Sequence, residues 1–118
     1  MSRRLERLNA LLRQELSDLL LRSLKDPRLA SFVTITRVEA AADLQQAKVY
    51  VSVMGTVEEK RSTVEGLTAA AAYLRRELTD RLTIKRVPSL MFFLDETMEE
   101  AAHILEIMDR VAARRQPE

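Results

Sequence analysis

The stretch Ala47-Lys48-Val49-Tyr50-Val51-Ser52-Val53 alternates apolar residues with lysine, tyrosine and serine. A period of two with β-branched residues suits a strand that buries one face and wets the other. It implies a sheet with a core side and an open, partly basic side, and the flanking sequence tells how the sheet is completed. Upstream, Val33, Ile35 and Val38 lie among Thr34, Thr36 and Arg37, which reads as a second strand. The two pair as a hairpin across Ala40-Ala41-Ala42-Asp43-Leu44, and Gly55 closes the downstream strand.

Past that glycine, Thr56-Val57-Glu58-Glu59 has the form of a capping box. Val64, Leu67, Ala71, Leu74, Leu78 and Leu82 then hold one helical stripe without a break, predicting a single long helix to about residue 82. Pro88 separates it from Leu90-Met91-Phe92-Phe93-Leu94, a short apolar run of the buried-strand kind. A second capping box, Thr97-Met98-Glu99-Glu100, opens a last helix whose apolar face is Ala101, Ile104, Leu105, Met108 and Val111. At the other end Leu5, Leu8, Leu12, Leu16, Leu19 and Leu20 mark a helix over residues 2–24, with Ser2 as N-cap and Asp26-Pro27 as its stop. The order α-β-β-α-β-α describes an α+β fold of two layers, a three-stranded sheet with helices on one face. Residues 1–112 are expected to form one domain, and residues 113–118 a frayed tail.

A chain of 118 residues with 47% apolar and 31% charged residues is long enough for one ordinary core. No apolar run approaches the roughly 20 residues that span a bilayer. The charged opening Met-Ser-Arg-Arg-Leu-Glu lacks a signal region, and there is no cysteine for a disulfide or thiolate site. These features lead us to expect a cytoplasmic protein.

Net charge is only +1, but the distribution is uneven. Residues 1–28 carry seven cations (Arg3, Arg4, Arg7, Arg13, Arg22, Lys25, Arg28) against four acids. Residues 73–90 carry five (Arg75, Arg76, Arg81, Lys85, Arg86) against two, whereas Glu58-Glu59, Asp95-Glu96 and Glu99-Glu100 gather the acids elsewhere. This asymmetry points to one side facing a polyanion.

Catalytic chemistry finds no foothold. His103 is the only histidine and has no acid–nucleophile cluster around it. Asp95, Glu96, Glu99 and Glu100 are the acids a helix dipole favours in its first turn, and no zinc-type ligand set accompanies them. With Gly55 and Gly66 as the only glycines, a phosphate loop is excluded. We expect no enzyme activity, no cofactor, no metal and no small-molecule substrate.

Several segments in order resemble the ribosome-binding factor A family. They are Arg7-Leu8 with Glu15-Leu16, Leu24-Lys25-Asp26-Pro27-Arg28-Leu29, Val33-Thr34-Ile35-Thr36-Arg37-Val38 and Asp43-Leu44-Gln45-Gln46-Ala47-Lys48-Val49-Tyr50-Val51-Ser52-Val53. Tyr73-Leu74-Arg75-Arg76-Glu77-Leu78, Arg86-Val87-Pro88-Ser89-Leu90 and Phe92-Phe93-Leu94-Asp95-Glu96 follow, so the likeness runs from about residue 3 to about residue 108. The resemblance implies a type II KH-like fold that binds the immature small (30S) ribosomal subunit and its 16S rRNA. It also implies support for late maturation and 5′-end processing of that RNA, and for growth after cold shock. KH domains grip RNA with a Gly-x-x-Gly loop; this family has instead an Ala-x-Gly kink within the long helix. The matching positions here are Ala70-Ala71-Ala72, with alanine in place of the glycine.

The residues expected to bind RNA are Arg75, Arg76, Arg81, Lys85, Arg86, Tyr73 and Lys48. Arginine and lysine release counterions at phosphates, and arginine also forks onto phosphate and stacks on bases. On a straight helix Arg76 lies opposite the apolar stripe and Arg75 at its edge, with Arg81 nearer the core. Tyr73 points outward for stacking on a straight helix, or inward on a kinked one. Lys85 and Arg86 sit in the loop before Pro88. The expected partner is the small subunit, met by a monomer. Two alternatives remain open: a general single-stranded RNA binder, and a protein-interaction module using the first and last helices.

Overall fold

A computed structural model describes residues 3–22 and 33–115. Its elements run α1 (Arg3–Arg22), β1 (Val33–Ala40), β2 (Gln46–Val53), α2 (Val57–Ala69), α3 (Ala71–Arg81), β3 (Ser89–Leu94) and α4 (Thr97–Arg115). The expected N-cap at Ser2 and the stop at Asp26-Pro27 lie outside the described residues, as do residues 116–118 of the expected tail.

The sheet has the order β1-β2-β3, antiparallel between β1 and β2 and parallel between β2 and β3. The alternation of β2 does what its pattern asked: Ala47, Val49, Val51 and Val53 are buried while Lys48 is exposed. β1 departs from strict alternation because its register shifts between Ile35 and Arg37. That bulge is why Ile35 and Val38, three apart in sequence, both point inward at 2% and 4% exposure. β1 also runs to Ala40, further than its sequence pattern indicated, and the Ala40 N–H donates to the Asn9 side chain of α1 at 2.8 Å.

α1 lays Leu12, Leu16 and Leu19 against the sheet with no exposure, each stabilising the fold by roughly 2–3 kcal/mol through apolar burial. Leu67 of α2 and Leu74 and Leu78 of α3 complete the core, with Leu90 and Phe92 of β3 beneath them. The helices α1, α2 and α3 thus cover one face of the sheet.

Two expectations are corrected. The single long helix is two helices, so the element order is α-β-β-α-α-β-α. Ala70 ends α2 and opens α3 at φ −89° and ψ −1°, its N–H shared between the carbonyls of Gly66 and Leu67. No side chain caps α3 there. Leu67 and Leu74 are both fully buried on either side of the break, so the apolar stripe stays in phase across it.

The second correction concerns α4. Its stripe of Ala101, Ile104, Leu105, Met108 and Val111 is exposed and packs on nothing among the described residues. The link from α4 to α2 is an ion pair between Lys60 and Glu99. Its N-terminus is held by Asp95, whose carboxylate accepts the Thr97 N–H at 2.9 Å; Thr97 itself is the first helical residue and not the cap. No helix of the described residues is long and apolar enough to cross a membrane.

Candidate nucleic-acid interface

The expected RNA-binding residues fall into four settings. Arg76 is exposed on α3, and with Ala72, Arg75 and Thr79 it lines a shallow depression of about 430 Å³ along one helix face. Tyr73 lies one turn before it and is 36% exposed, so the break at Ala70 does not bury the ring.

Arg75 is half-buried, and its Nε donates to the Val87 carbonyl at 2.8 Å. That bond fastens α3 to the loop entering β3, one residue past Arg86. Sequence spacing placed Arg75 at the edge of the apolar stripe and it is there, but one of its donors is occupied within the fold.

Arg81 is occupied too. Its Nη1 donates to Asp18 at 2.7 Å and to Glu15 at 3.3 Å, both on α1. The hydrogen bond and charge of Arg81 hold the Asp18 carboxyl below the usual carboxylate range, and the two acids raise the guanidinium further above its own. A cation matched by two carboxylates ties helices together and offers little to a phosphate.

Lys48 does not join the others. The alternation of β2 puts it on the open sheet face, opposite the helices and paired in register with Glu39. The rest of that face is mixed in charge. Arg37 lies 4.2 Å above the Tyr50 ring and pairs with Glu39 at 2.9 Å, and Tyr50 meets Phe93 at 5.7 Å. Asp95, Glu96 and Glu100 border a recess of about 420 Å³ beside Tyr50. Thr36 donates to Asp95 at 2.7 Å, and the bonds from Thr97 and Thr36 bring its carboxyl down to about 2. Three carboxylates, one of them firmly ionised, make this the weaker side for a polyanion.

Lys85 and Arg86 are exposed and belong to a second groove that the expected set did not include as a unit. Leu8 and Leu11 of α1, Leu44 of the β1–β2 turn and Ile84 form its floor. Arg4, Arg7, Lys85 and Arg86 form its rim, and the space is about 400 Å³. The signal was present in sequence: positions 4, 7, 8 and 11 share one helix face, two arginines beside two leucines. Among the described residues no group of three or more His, Cys, Asp or Glu is placed to hold a metal ion.

Comparison with known proteins places this geometry. The ribosome-binding factor A family model matches residues 4–108. The Dictyoglomus thermophilum ribosome-binding factor A is 48% identical over 105 residues, covering 89% of this chain and 88% of that protein. The Acetivibrio thermocellus protein of the same name is 41% identical over 111 residues, covering 94% and 90%. The crystal structure of ribosome-binding factor A from Thermus thermophilus superposes with a TM-score of 0.68 at 28% identity, over 76% of this chain and 93% of that one. A homology model of the Thermus protein fitted into a cryo-EM map of its 30S complex gives 0.63 at 28% identity, over 75% and 92%. With the family model spanning most of its length and its fold shared with a solved member, this chain belongs to the ribosome-binding factor A family.

Proposed function

We propose that the protein is a ribosome biogenesis factor that binds the immature small (30S) subunit through its 16S rRNA and supports late maturation and 5′-end processing, including in the cold. It acts in the cytoplasm as a monomer and carries out no chemistry of its own. The observation that carries this reading is the meeting of α3 with the loop before β3. Arg76 on that helix and Lys85 and Arg86 in that loop are exposed, and among the described residues none of their side chains has an ion pair or hydrogen bond, unlike Arg81. Cations held ready on a rigid scaffold are what phosphate contacts require. The Thermus relative is the one fitted into a map of a 30S complex, which supports the same partner.

Gradient sedimentation of cell extract tests the proposal. The protein is expected to run with free small subunits at low salt and to be released as salt rises. Protein that stays at the top of the gradient at low salt would sink it. A second reading, docking of a protein on α4, is favoured by the exposed stripe of that helix. Binding insensitive to salt, with mass rising with concentration, would support it.

A further inference from the structure

We propose that the groove between the start of α1, the β1–β2 turn and the loop before β3 holds one unstacked base of single-stranded RNA. The phosphates on either side of that base rest on Arg4 and Arg7 and on Lys85 and Arg86. The inference rests on the RNA-binding reading above and adds a place where a base, and not only backbone, is engaged.

The composition of the groove argues for this occupant. The chain has 19 cations and 18 acids, yet among the described residues four cations and no carboxylate line this groove. Four arginines elsewhere are matched by acids: Arg22 by Asp18, Arg37 by Glu39, Arg81 by Asp18 and Glu15, and Arg110 by Glu106. Arg13 and Arg75 bond to backbone carbonyls, while Arg3, Arg61, Arg76 and Arg114 stand apart from one another. Among the described residues, Arg4, Arg7, Lys85 and Arg86 have no such match. An anion completes the rim, but an anion alone leaves the floor unexplained. Leu8, Leu44 and Ile84 pack against the core from below and Leu11 is 37% exposed, so the floor is apolar, shallow and already formed.

A nucleotide joins the two properties in one ligand: a base with apolar faces, flanked by charge. Arginine planes at the edge extend the apolar contact over the base. A space of about 400 Å³ lies in the range that takes small ligands, and the single strand enters and leaves along the open side. Duplex RNA cannot present a base face to such a floor, so the site selects unpaired RNA.

Leu44 adds a second observation. It stands at φ 59°, with its N–H bonded to the Ala41 carbonyl at 2.9 Å. A residue with a Cβ adopts that conformation at a cost, and turns usually use glycine or asparagine there. The strained backbone is what turns the leucine toward the groove, where it supplies floor.

The test measures fluorescence anisotropy of a labelled short oligouridine, and of the matching oligouridine–oligoadenine duplex, with the intact protein. Leu11→Asp places a charge on the floor at a position exposed enough for the fold to tolerate, and Leu11→Gln serves as a second variant. Unchanged circular dichroism and melting verify each fold. We expect the single strand to bind more tightly than the duplex, and both Leu11 variants to weaken single-strand binding by about tenfold, the scale on which the apolar contact of one leucine counts. The neutral Leu11→Gln variant should leave duplex binding unchanged, whereas the charge of Leu11→Asp should weaken the duplex less than the single strand. Arg4→Gln with Arg7→Gln should weaken both probes and flatten their salt dependence. Equal single-strand affinity in parent and Leu11 variants overturns the proposal, as does equal loss for the duplex in Leu11→Gln or the absence of oligouridine binding by the parent. Displacement of the oligouridine by an acidic peptide at comparable concentration, with no preference for single strands, would assign the groove to a protein. Sedimentation with small subunits separates the two readings: a parent that runs with subunits but shows no groove-dependent oligouridine binding rejects the groove alone. Loss of both rejects the ribosomal reading as well.

Discussion

Arg81 of α3 and Asp18 of α1 meet at 2.7 Å, and the same guanidinium nitrogen reaches Glu15 one turn away at 3.3 Å. Both sides of the contact are about one-third exposed, so solvent screens it and its contribution to stability is small. Arg81→Gln should therefore lower Tm slightly, by less as salt rises, and leave small-subunit affinity unchanged. A large loss of binding in this variant would show that Arg81 leaves its carboxylates to meet RNA.

Arg75 and Arg76 are adjacent but should behave differently. Arg75→Ala removes the bond to the Val87 carbonyl and should cost about 1–3 kcal/mol, as for a hydrogen bond to a charged group. Arg76→Ala with Lys85→Ala and Arg86→Ala should change stability by less than about 1 kcal/mol. The triple variant should bind subunits more weakly with a flatter salt dependence. Denaturant melts and salt-dependent binding, measured on both variants, read the difference. Charge reversal of Glu58 is the control; Glu59 is unsuitable because it accepts the Thr56 N–H in the capping box of α2.

Val51 lies in the central strand with no exposure, and its neighbour Ser52 is only half-covered on the other face. Val51→Asp should unfold the domain, since an unpaired carboxylate there costs more than about 4 kcal/mol. Ser52→Asp should fold. Circular dichroism of the pair checks the strand register, because a slip by one residue would exchange the two results.

Gly55 leaves β2 at φ 147°, and a Cβ there would come within 3.1 Å of the Glu59 side chain. Gly55→Ala should lose about 1–3 kcal/mol from the backbone alone and push Glu59 out of its cap. A denaturant midpoint equal to that of the parent would show that the turn relaxes.

Asp95 links β3, β1 and α4 through Thr36 and Thr97, and its carboxyl sits at about 2 against an ordinary 3.8. A depressed folded value means the ionised form is favoured by folding, so its stabilisation is complete above pH 3.8 and is lost as pH falls through about 2. Thr36→Val should bring the carboxyl back up toward its ordinary value. Acid unfolding should then begin at higher pH, and carboxyl chemical shifts in a pH titration report both.

Sequence revealed what depends on near neighbours. The alternation of β2 and the leucines of α1 report which side of each element meets the core, because each face is a local repeat. The break at Ala70 left no trace in the periodicity, since Leu67 and Leu74 are seven apart and stay on one face whether or not the helix is interrupted; only the family resemblance pointed to Ala70-Ala71-Ala72. Alanine, the strongest helix former, also hides it. The α4 stripe was legible as amphipathic, but periodicity cannot say whether a partner in the same chain covers it.

The candidate site was legible only in part for the same reason. The expected set joined Lys48 to the cations of α3, although strand alternation had already put it opposite Val49. Nothing local tells that Arg75 will meet the Val87 carbonyl or that Arg81 will reach across to α1. Those are contacts between elements, and they decide which charges remain available. Arg4 and Arg7 were visible in the charge pattern, but their groove exists only once the loop with Ile84 closes over Leu8 and Leu44.

The parallel pairing of β2 with β3 has a consequence during synthesis. β2 meets β1 almost at once, across a short turn, but its other neighbour is made only after both α2 and α3. Until then the hairpin carries an uncovered row of Val49, Val51 and Val53 and a free edge of backbone donors and acceptors. Such an edge templates pairing with another chain, and closure over a long intervening segment is the slow step. The vulnerable interval of this protein is therefore the translation of residues 54–88. Substitutions that delay α2 or α3 should appear first as aggregation of newly made chains, before they appear as any loss in the melting temperature of the finished one.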